Sequence, residues 1–322
     1  MMKKQDALEK WGNYQGSQMK PADFDTFWQE AKEEVEALGL RYELKAIDFP
    51  SNVVEAFELG FMGVGQAKIV CQLVQPKNIA KKLPVILQFH GYHVDAGDWS
   101  EKVSLAAEGM IVVAMDVRGQ GGLSQDTLQT TGGTLKGHLI RGLEEGPKKL
   151  FYRAVFQDVY QLSRIVGAMP EVDNQQMISY GVSQGGALAF VCAALCPTIS
   201  KTFVQYPFLS DYREAYRLEV TSSAYEELAY WFRYRDPLHK KEEQVFATLD
   251  YIDVQYFASF IQADVVWAMA LEDHICHPKT QFAVFNQLKS QKQLLYYPEY
   301  GHEYLPQFSD EMRKVLLKEG VI

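Results

Sequence analysis

The chain has 322 residues, with 32 Lys+Arg against 41 Asp+Glu, a formal net charge of −9, 47% apolar and 23% charged residues. This is the mix of a soluble globular protein, long enough to bury about three quarters of its unfolded surface without disulfide staples. The acidic balance argues against nucleic acid or an anionic membrane as partner, and the longest apolar run, Ala187 to Cys196, is far short of the about 20 residues a membrane span needs.

The N-terminus, MMKKQDALEKWGNY, has two lysines and no apolar stretch behind them, so it does not read as a secretory signal. Four scattered cysteines (Cys71, Cys192, Cys196, Cys276) then suggest free thiols and a cytoplasmic protein. Asp23 to Leu38 has helical periodicity in Phe24, Phe27, Trp28, Ala31 and Val35, making residues 1–40 a helical extension. Tyr42 to Phe49, Val54 to Phe61 and Ala67 to Val74 alternate as strands and are broken by Pro50-Ser51-Asn52 and Gly63-Val64-Gly65, which suggests an antiparallel start to a sheet.

Pro84 to Phe89 and Met110 to Val117 are nearly continuous apolar strands, with a short helix around Ser100 to Glu108 between them. Phe151 to Met169 is helical, Met177 to Gly181 a strand, Gln184 to Cys196 a helix that Pro197 closes, and Thr202 to Tyr206 and Asp264 to Leu271 are strands. A helix over Thr280 to Leu288, a strand over Gln293 to Tyr297 and a helix after Pro306 follow. Doubly buried strands alternating with helices imply a mostly parallel sheet with helices on both faces. The aromatic and charged stretch from about 210 to 260 breaks this rhythm and reads as a helical cap inserted into a single domain spanning 1–322.

Gly181-Val182-Ser183-Gln184-Gly185 matches G-x-S-x-G, with a strand running in and a Gly/Ala-rich helix running out. That context is the nucleophile elbow of an α/β-hydrolase fold, in which nucleophile, acid and histidine follow in that order. Four histidines follow Ser183: His239, His274, His277 and His302. His302 follows the last strand and is the expected base; His239 sits among lysines in the cap. Asp273, just past the strand ending at Leu271, is preferred over Glu272 as the acid. The oxyanion needs two amides. Gln184 follows the nucleophile, and Tyr92 lies in the loop after the strand ending at Phe89. His274, Cys276 and His277 fit no common zinc spacing, so no metal and no other cofactor is expected. Arg118, in Arg118-Gly119-Gln120-Gly121-Gly122, is expected to bond carbonyls or a carboxylate that hold the nucleophile loop.

Arg118-Gly119-Gln120, the pentapeptide around Ser183 and His302-Glu303 together resemble the acetyl xylan esterase / cephalosporin-C deacetylase family, carbohydrate esterase family seven. The likeness extends to Pro21-Ala22-Asp23-Phe24-Asp25, His90-Gly91-Tyr92 and Tyr206-Pro207-Phe208. It implies a serine esterase that removes acetyl groups from small sugars and cephalosporins, assembled as a ring-shaped homo-hexamer. It also implies Ser183, Asp273 and His302 as triad, Tyr92 and Gln184 as oxyanion donors, and Phe208, Ile275, Cys276 and Tyr92 near the acyl group. The family's loop after the acid reads Cys-Pro-Pro, and this chain has Cys276-His277-Pro278, which suggests an extra imidazole at the pocket rim. The rivals are a peptidase or amidase of the same fold, for which the chain has no room for a large propeller, and a non-catalytic binding protein.

Overall fold

A computed structural model describes residues 3–131, 137–218 and 225–322; the part of the expected cap at 219–224 lies outside the described residues. Among the described residues nine strands form one sheet in the order β1-β2-β3-β5-β4-β6-β7-β8-β9. These are β1 (Tyr42–Ile47), β2 (Val54–Met62), β3 (Lys68–Pro76), β4 (Leu83–Phe89), β5 (Ile111–Met115), β6 (Val172–Val182), β7 (Ile199–Gln205), β8 (Asp264–Ala270) and β9 (Lys292–Tyr297). The first three are antiparallel, β3 meets β5 antiparallel, and β5-β4-β6-β7-β8-β9 are all parallel. This is the α/β-hydrolase fold. The parallel strands β4 and β5 are buried on both faces, whereas β1 is exposed along almost its whole length. The continuous apolar runs and the looser alternation had distinguished these two kinds of strand.

The helices are α1 (Lys4–Trp11), α2 (Phe24–Glu36), α3 (Val103–Ala107), α4 (Phe151–Gly167), α5 (Gln184–Leu195), α6 (Tyr212–Arg217), α7 (Glu226–Tyr234), α8 (Glu242–Leu249), α9 (Pro278–Phe285) and α10 (Phe308–Lys318). Every residue of α5 is buried, as a helix that is apolar all round requires. Cys192 lies within α5, and Cys196 caps its end with its thiol on the Thr198 hydroxyl, so both are part of the core. The expected cap contains α6, α7 and α8. Among the described residues no helix is long and apolar enough to cross a membrane.

The sequence reading missed α1. Half of its eight residues are charged, and only Ala7 and Trp11 are buried, too few to display a period. The segment after it is strapped to residues far along the chain, Asp211 and Asn286. Asn286 Nδ2 donates to the carbonyls of Trp11 and Tyr14 at 2.9 and 2.8 Å. The Tyr14 hydroxyl donates to Asp211 at 2.7 Å, and Ser17 donates to the same carboxylate.

Candidate active site

Ser183 sits between the end of β6 and the start of α5, with φ 57° and ψ −119°, a conformation that costs on the order of 1–3 kcal/mol and must be held by its surroundings. Two glycines allow the turn. A Cβ on Gly181 would lie 2.0 Å from the Gly185 carbonyl oxygen, and one on Gly185 would lie 1.9 Å from that of Phe89. Both obstacles are backbone and cannot move aside. The Ser183 amide donates to Gln205 at 3.0 Å, and its carbonyl accepts from Phe208 at 3.1 Å, so β7 and the turn after it fix the serine from the other side.

The expected acid and base meet this serine. His302 Nε2 lies 3.0 Å from Ser183 Oγ, and His302 Nδ1 lies 2.8 Å from Asp273 Oδ2. The other Asp273 oxygen accepts from the amides of Ile275 and Cys276, both at 2.8 Å. With Nδ1 facing an almost fully buried carboxylate, the ring carries its proton there and leaves Nε2 as an acceptor for the serine. The loops carrying acid and base are tied together, because the Glu272 amide donates to Tyr300 at 3.0 Å. The Tyr206 hydroxyl donates to the Glu303 carbonyl at 2.7 Å, and its ring lies 4.6 Å from that of His302.

Gln184 is the first residue of α5, so its amide has no partner within the helix and is available to a ligand. Its buried side chain ties the elbow to the loop after β4. Gln184 Nε2 donates to the Gly91 carbonyl at 3.3 Å, while Gln184 Oε1 accepts from Gln120 Nε2 at 2.7 Å and from the Tyr152 hydroxyl at 2.9 Å. His90 adds a second grip. Its Nε2 accepts from the Val117 amide at 2.9 Å, so its proton is on Nδ1, which reaches the same Gly91 carbonyl at 2.7 Å. Burial holds the His90 imidazole below its ordinary value and favours this neutral form. The Gly91 carbonyl and the Tyr92 amide share one peptide plane, so pinning the oxygen aims the N–H. The roles of Gln120 and Tyr152 had no local signal. Gln120 stands in the Arg118-Gly119-Gln120 triplet, and Tyr152 is one aromatic in an apolar helix.

Arg118 bonds a carboxylate and a carbonyl, as expected, but neither belongs to the nucleophile loop. Its Nε and Nη2 form a bidentate pair with Asp158 of α4 at 2.6 and 2.7 Å, and Nη2 also reaches the Val64 carbonyl. A buried guanidinium needs a carboxylate and takes the one on the adjacent helix; the contact with the elbow falls to Gln120, two residues on. His277 is not available at a pocket rim either. Its Nδ1 caps α9 by accepting from the Lys279 amide at 3.1 Å, and its ring stands edge-on to Trp11 of α1 at 5.3 Å. Burial, first of all, pushes the His277 imidazole down to about 4. His239 is exposed, pairs with Glu242 and stacks on Phe232.

The residues expected near the acyl group fall close together. The rings of Tyr92 and Phe208 are 5.9 Å apart, Phe208 packs on Tyr225 at 4.6 Å, and the Cys276 thiol lies beside the Ser183 hydroxyl. Ile275 is half-buried and next to Cys276. Among the described residues one trio of side chains, Asp273, Cys276 and His302, has potential metal-ligand atoms within 4.8 Å of one another. Its carboxylate and imidazole already bond each other, and burial pushes the Cys276 thiol well up, so no thiolate is offered to an ion. Glu227 of α7, which carries no motif of its own, is buried beside Tyr92, and burial pushes its carboxyl up to about 7.

A serine on a strand–helix elbow, backed by an imidazole and a carboxylate in the order of the chain, defines a hydrolase of the α/β-hydrolase fold. The family model for acetyl xylan esterase (AXE1) matches residues 2–319. The chain belongs to the acetyl xylan esterase family, and so to the carboxylic ester hydrolases. The crystal structure of acetyl xylan esterase 1 from Thermoanaerobacterium sp. JW/SL YS485 is similar with a TM-score of 0.93 at 42% identity, covering 98% of each chain. The acetyl xylan esterase from Paenibacillus sp. R4 also gives 0.93, at 32% identity, covering 98% of this chain and 99% of that one. The acetyl esterase Axe7A of Xylanibacter ruminicola is 24% identical over 288 residues, 88% of this chain and 63% of that protein. The chain therefore spans less than two thirds of that relative's length.

Proposed function

We propose that this protein is a serine esterase that removes acetyl groups from acetylated xylo-oligosaccharides and related small esters, cephalosporin C among them. The observation that carries the reading is the continuous pair of hydrogen bonds from Ser183 Oγ to His302 Nε2 at 3.0 Å and from His302 Nδ1 to Asp273 Oδ2 at 2.8 Å. His302 Nε2 takes the Ser183 proton as Oγ attacks the acetyl carbonyl, and Asp273 stabilises the imidazolium. The amides of Tyr92 and Gln184 receive the oxyanion. Collapse expels the sugar alcohol, which takes the proton from His302 and leaves an acetyl-serine. Water, deprotonated by His302, attacks that ester and releases acetate. Every step runs on the chain's own residues, and no cofactor is invoked.

The family resemblance adds a homo-hexamer, and the four free cysteines support a cytoplasmic location. The test is to incubate the purified protein with acetylated xylo-oligosaccharides and cephalosporin C, measure acetate release, and label it with a fluorophosphonate probe. Acetate release with label on Ser183 is expected. No acetate from either substrate, or label elsewhere, would overturn the reading. Sedimentation of the same sample tests the hexamer.

A further inference from the structure

We propose that Glu227, on the first turn of cap helix α7, is a positioning residue that sets the Tyr92 amide for the oxyanion. The inference deepens the esterase reading and rests on it. The Tyr92 hydroxyl is gripped from two sides: it accepts from the His138 amide at 2.6 Å and donates to Glu227 Oε1 at 3.1 Å. The other oxygen of Glu227 accepts from the Ile140 amide at 3.2 Å. One carboxylate thus joins three segments that are far apart in the chain: the loop after β4, the stretch 137–140 and the cap. The approach is close, since a Cβ on Gly137 would lie 1.8 Å from Glu227 Oε1 and 2.3 Å from the Tyr92 hydroxyl.

The burial of this group calls for an explanation. Glu227 is 1% exposed, and its contacts among the described residues are amides and a phenol. Desolvating a carboxylate is costly, and an apolar side chain at the same place would avoid that cost. What the carboxylate adds is a fixed ring. The Gly91 carbonyl already fixes one side of the Tyr92 peptide; holding the hydroxyl at the ring's far end fixes the side-chain torsions and, through them, rotation about the residue's own N–Cα bond. The amide is then aimed from both directions. The ring also stands 5.9 Å from Phe208, so the same grip holds a wall of the acyl pocket.

The experiment compares Glu227→Ala, Glu227→Gln, Tyr92→Phe and the Glu227→Ala/Tyr92→Phe double variant on p-nitrophenyl acetate, with Ser183→Ala beside them and a melting curve for each. Loss of one oxyanion donor costs about 10²–10³ in rate, and a misaimed donor retains part of that, so Glu227→Ala should lower kcat roughly 10- to 100-fold with KM within about threefold. Glu227→Gln keeps one acceptor for the phenol and should recover most of the loss. The double variant should be no worse than Glu227→Ala alone, because both single changes cut the same link. An unchanged kcat in Glu227→Ala overturns the proposal. So does a loss that disappears on cooling below the variant's melting range, or single effects that multiply in the double variant. Should Glu227→Ala fail to fold, Tyr92→Phe and Glu227→Gln decide: wild-type kcat in Tyr92→Phe overturns it. Turnover in Ser183→Ala defeats the esterase reading and the proposal with it; an inactive Ser183→Ala beside an unaltered Glu227→Ala defeats the proposal alone.

Discussion

Ser183 is held by atoms from its own pentapeptide and from the two strands beside it, whereas Tyr92 is held by its neighbour His90 and by groups from three distant parts of the chain. On the serine side the constraints are backbone on backbone: Gly185 against Phe89, Gly181 against Gly185, and the Ser183 amide on Gln205. On the tyrosine side they are polar ends of side chains, from Gln184, His90 and Glu227, with the His138 amide. The first kind leaves no soft degree of freedom. The second kind can be loosened one bond at a time, which makes it the half where small changes should tune the rate.

The comparison breaks most sharply at Ser183, the proposed nucleophile. Ser183→Ala should lower kcat by about 10⁴–10⁶ while the melting temperature holds, and an ester assay that kept more than a tenth of the activity would remove Ser183 from the mechanism. Next come paired glycine changes. Gly185→Ala drives a Cβ into the Phe89 carbonyl and should cost at least about 10²-fold in kcat through a displaced elbow. Gly137→Ala meets the ends of Glu227 and Tyr92 side chains, which can swing aside, so its cost should be nearer about tenfold. Equal losses for the two, measured on the same ester, would erase the distinction between the two halves.

The acyl wall offers a smaller effect. An extra methylene that clashes with Tyr92 or Phe208 costs about 1–3 kcal/mol, whereas burying one that fits gains about 0.8 kcal/mol. kcat/KM should therefore fall from p-nitrophenyl acetate to butyrate to hexanoate, and a peptide anilide should be inert. Rising values with chain length, or clear anilide cleavage, would count against a deacetylase. The smallest effect is one of stability and lies outside both halves. His277 is held neutral in the folded state with its value pushed down to about 4, below the ordinary imidazole value of about 6.5. Its folded value is depressed, so its contribution is complete above pH about 6.5 and is lost as pH falls towards 4. Against His277→Asn, which can cap α9 without titrating, the wild type should lose on the order of 2 kcal/mol between pH 7 and 4. Parallel unfolding curves for the two proteins would show that the imidazole is not constrained in this way.

The elbow was legible because its determinants are local: two glycines, a serine and an apolar helix that cannot be placed anywhere but the interior. Asp273 and His302 were legible because each follows a strand at the end where this fold builds its site. Glu227 was not, since nothing in Glu226-Glu227 before an amphipathic helix distinguishes a solvated charge from one buried 135 residues away from its phenol partner. Arg118 showed the same limit from the other side. Its need for a carboxylate was readable, but Asp158, on the far side of a loop and inside a helix, was not identifiable as the partner. α1 was missed because two buried residues in eight make no pattern.

The strap formed by residues 11–17 has a consequence for the order in which the molecule assembles. Asn286 reaches Trp11 and Tyr14 across 275 and 272 positions, and Asp211 reaches Tyr14 across 197. Contacts of such long range close late, since the entropy of bringing the ends together must be met before they contribute. His277, which follows the acid loop directly, leans on Trp11. A refolding chain should therefore regain its sheet, and with it most of its circular dichroism, before the first and last thirds dock and turnover begins.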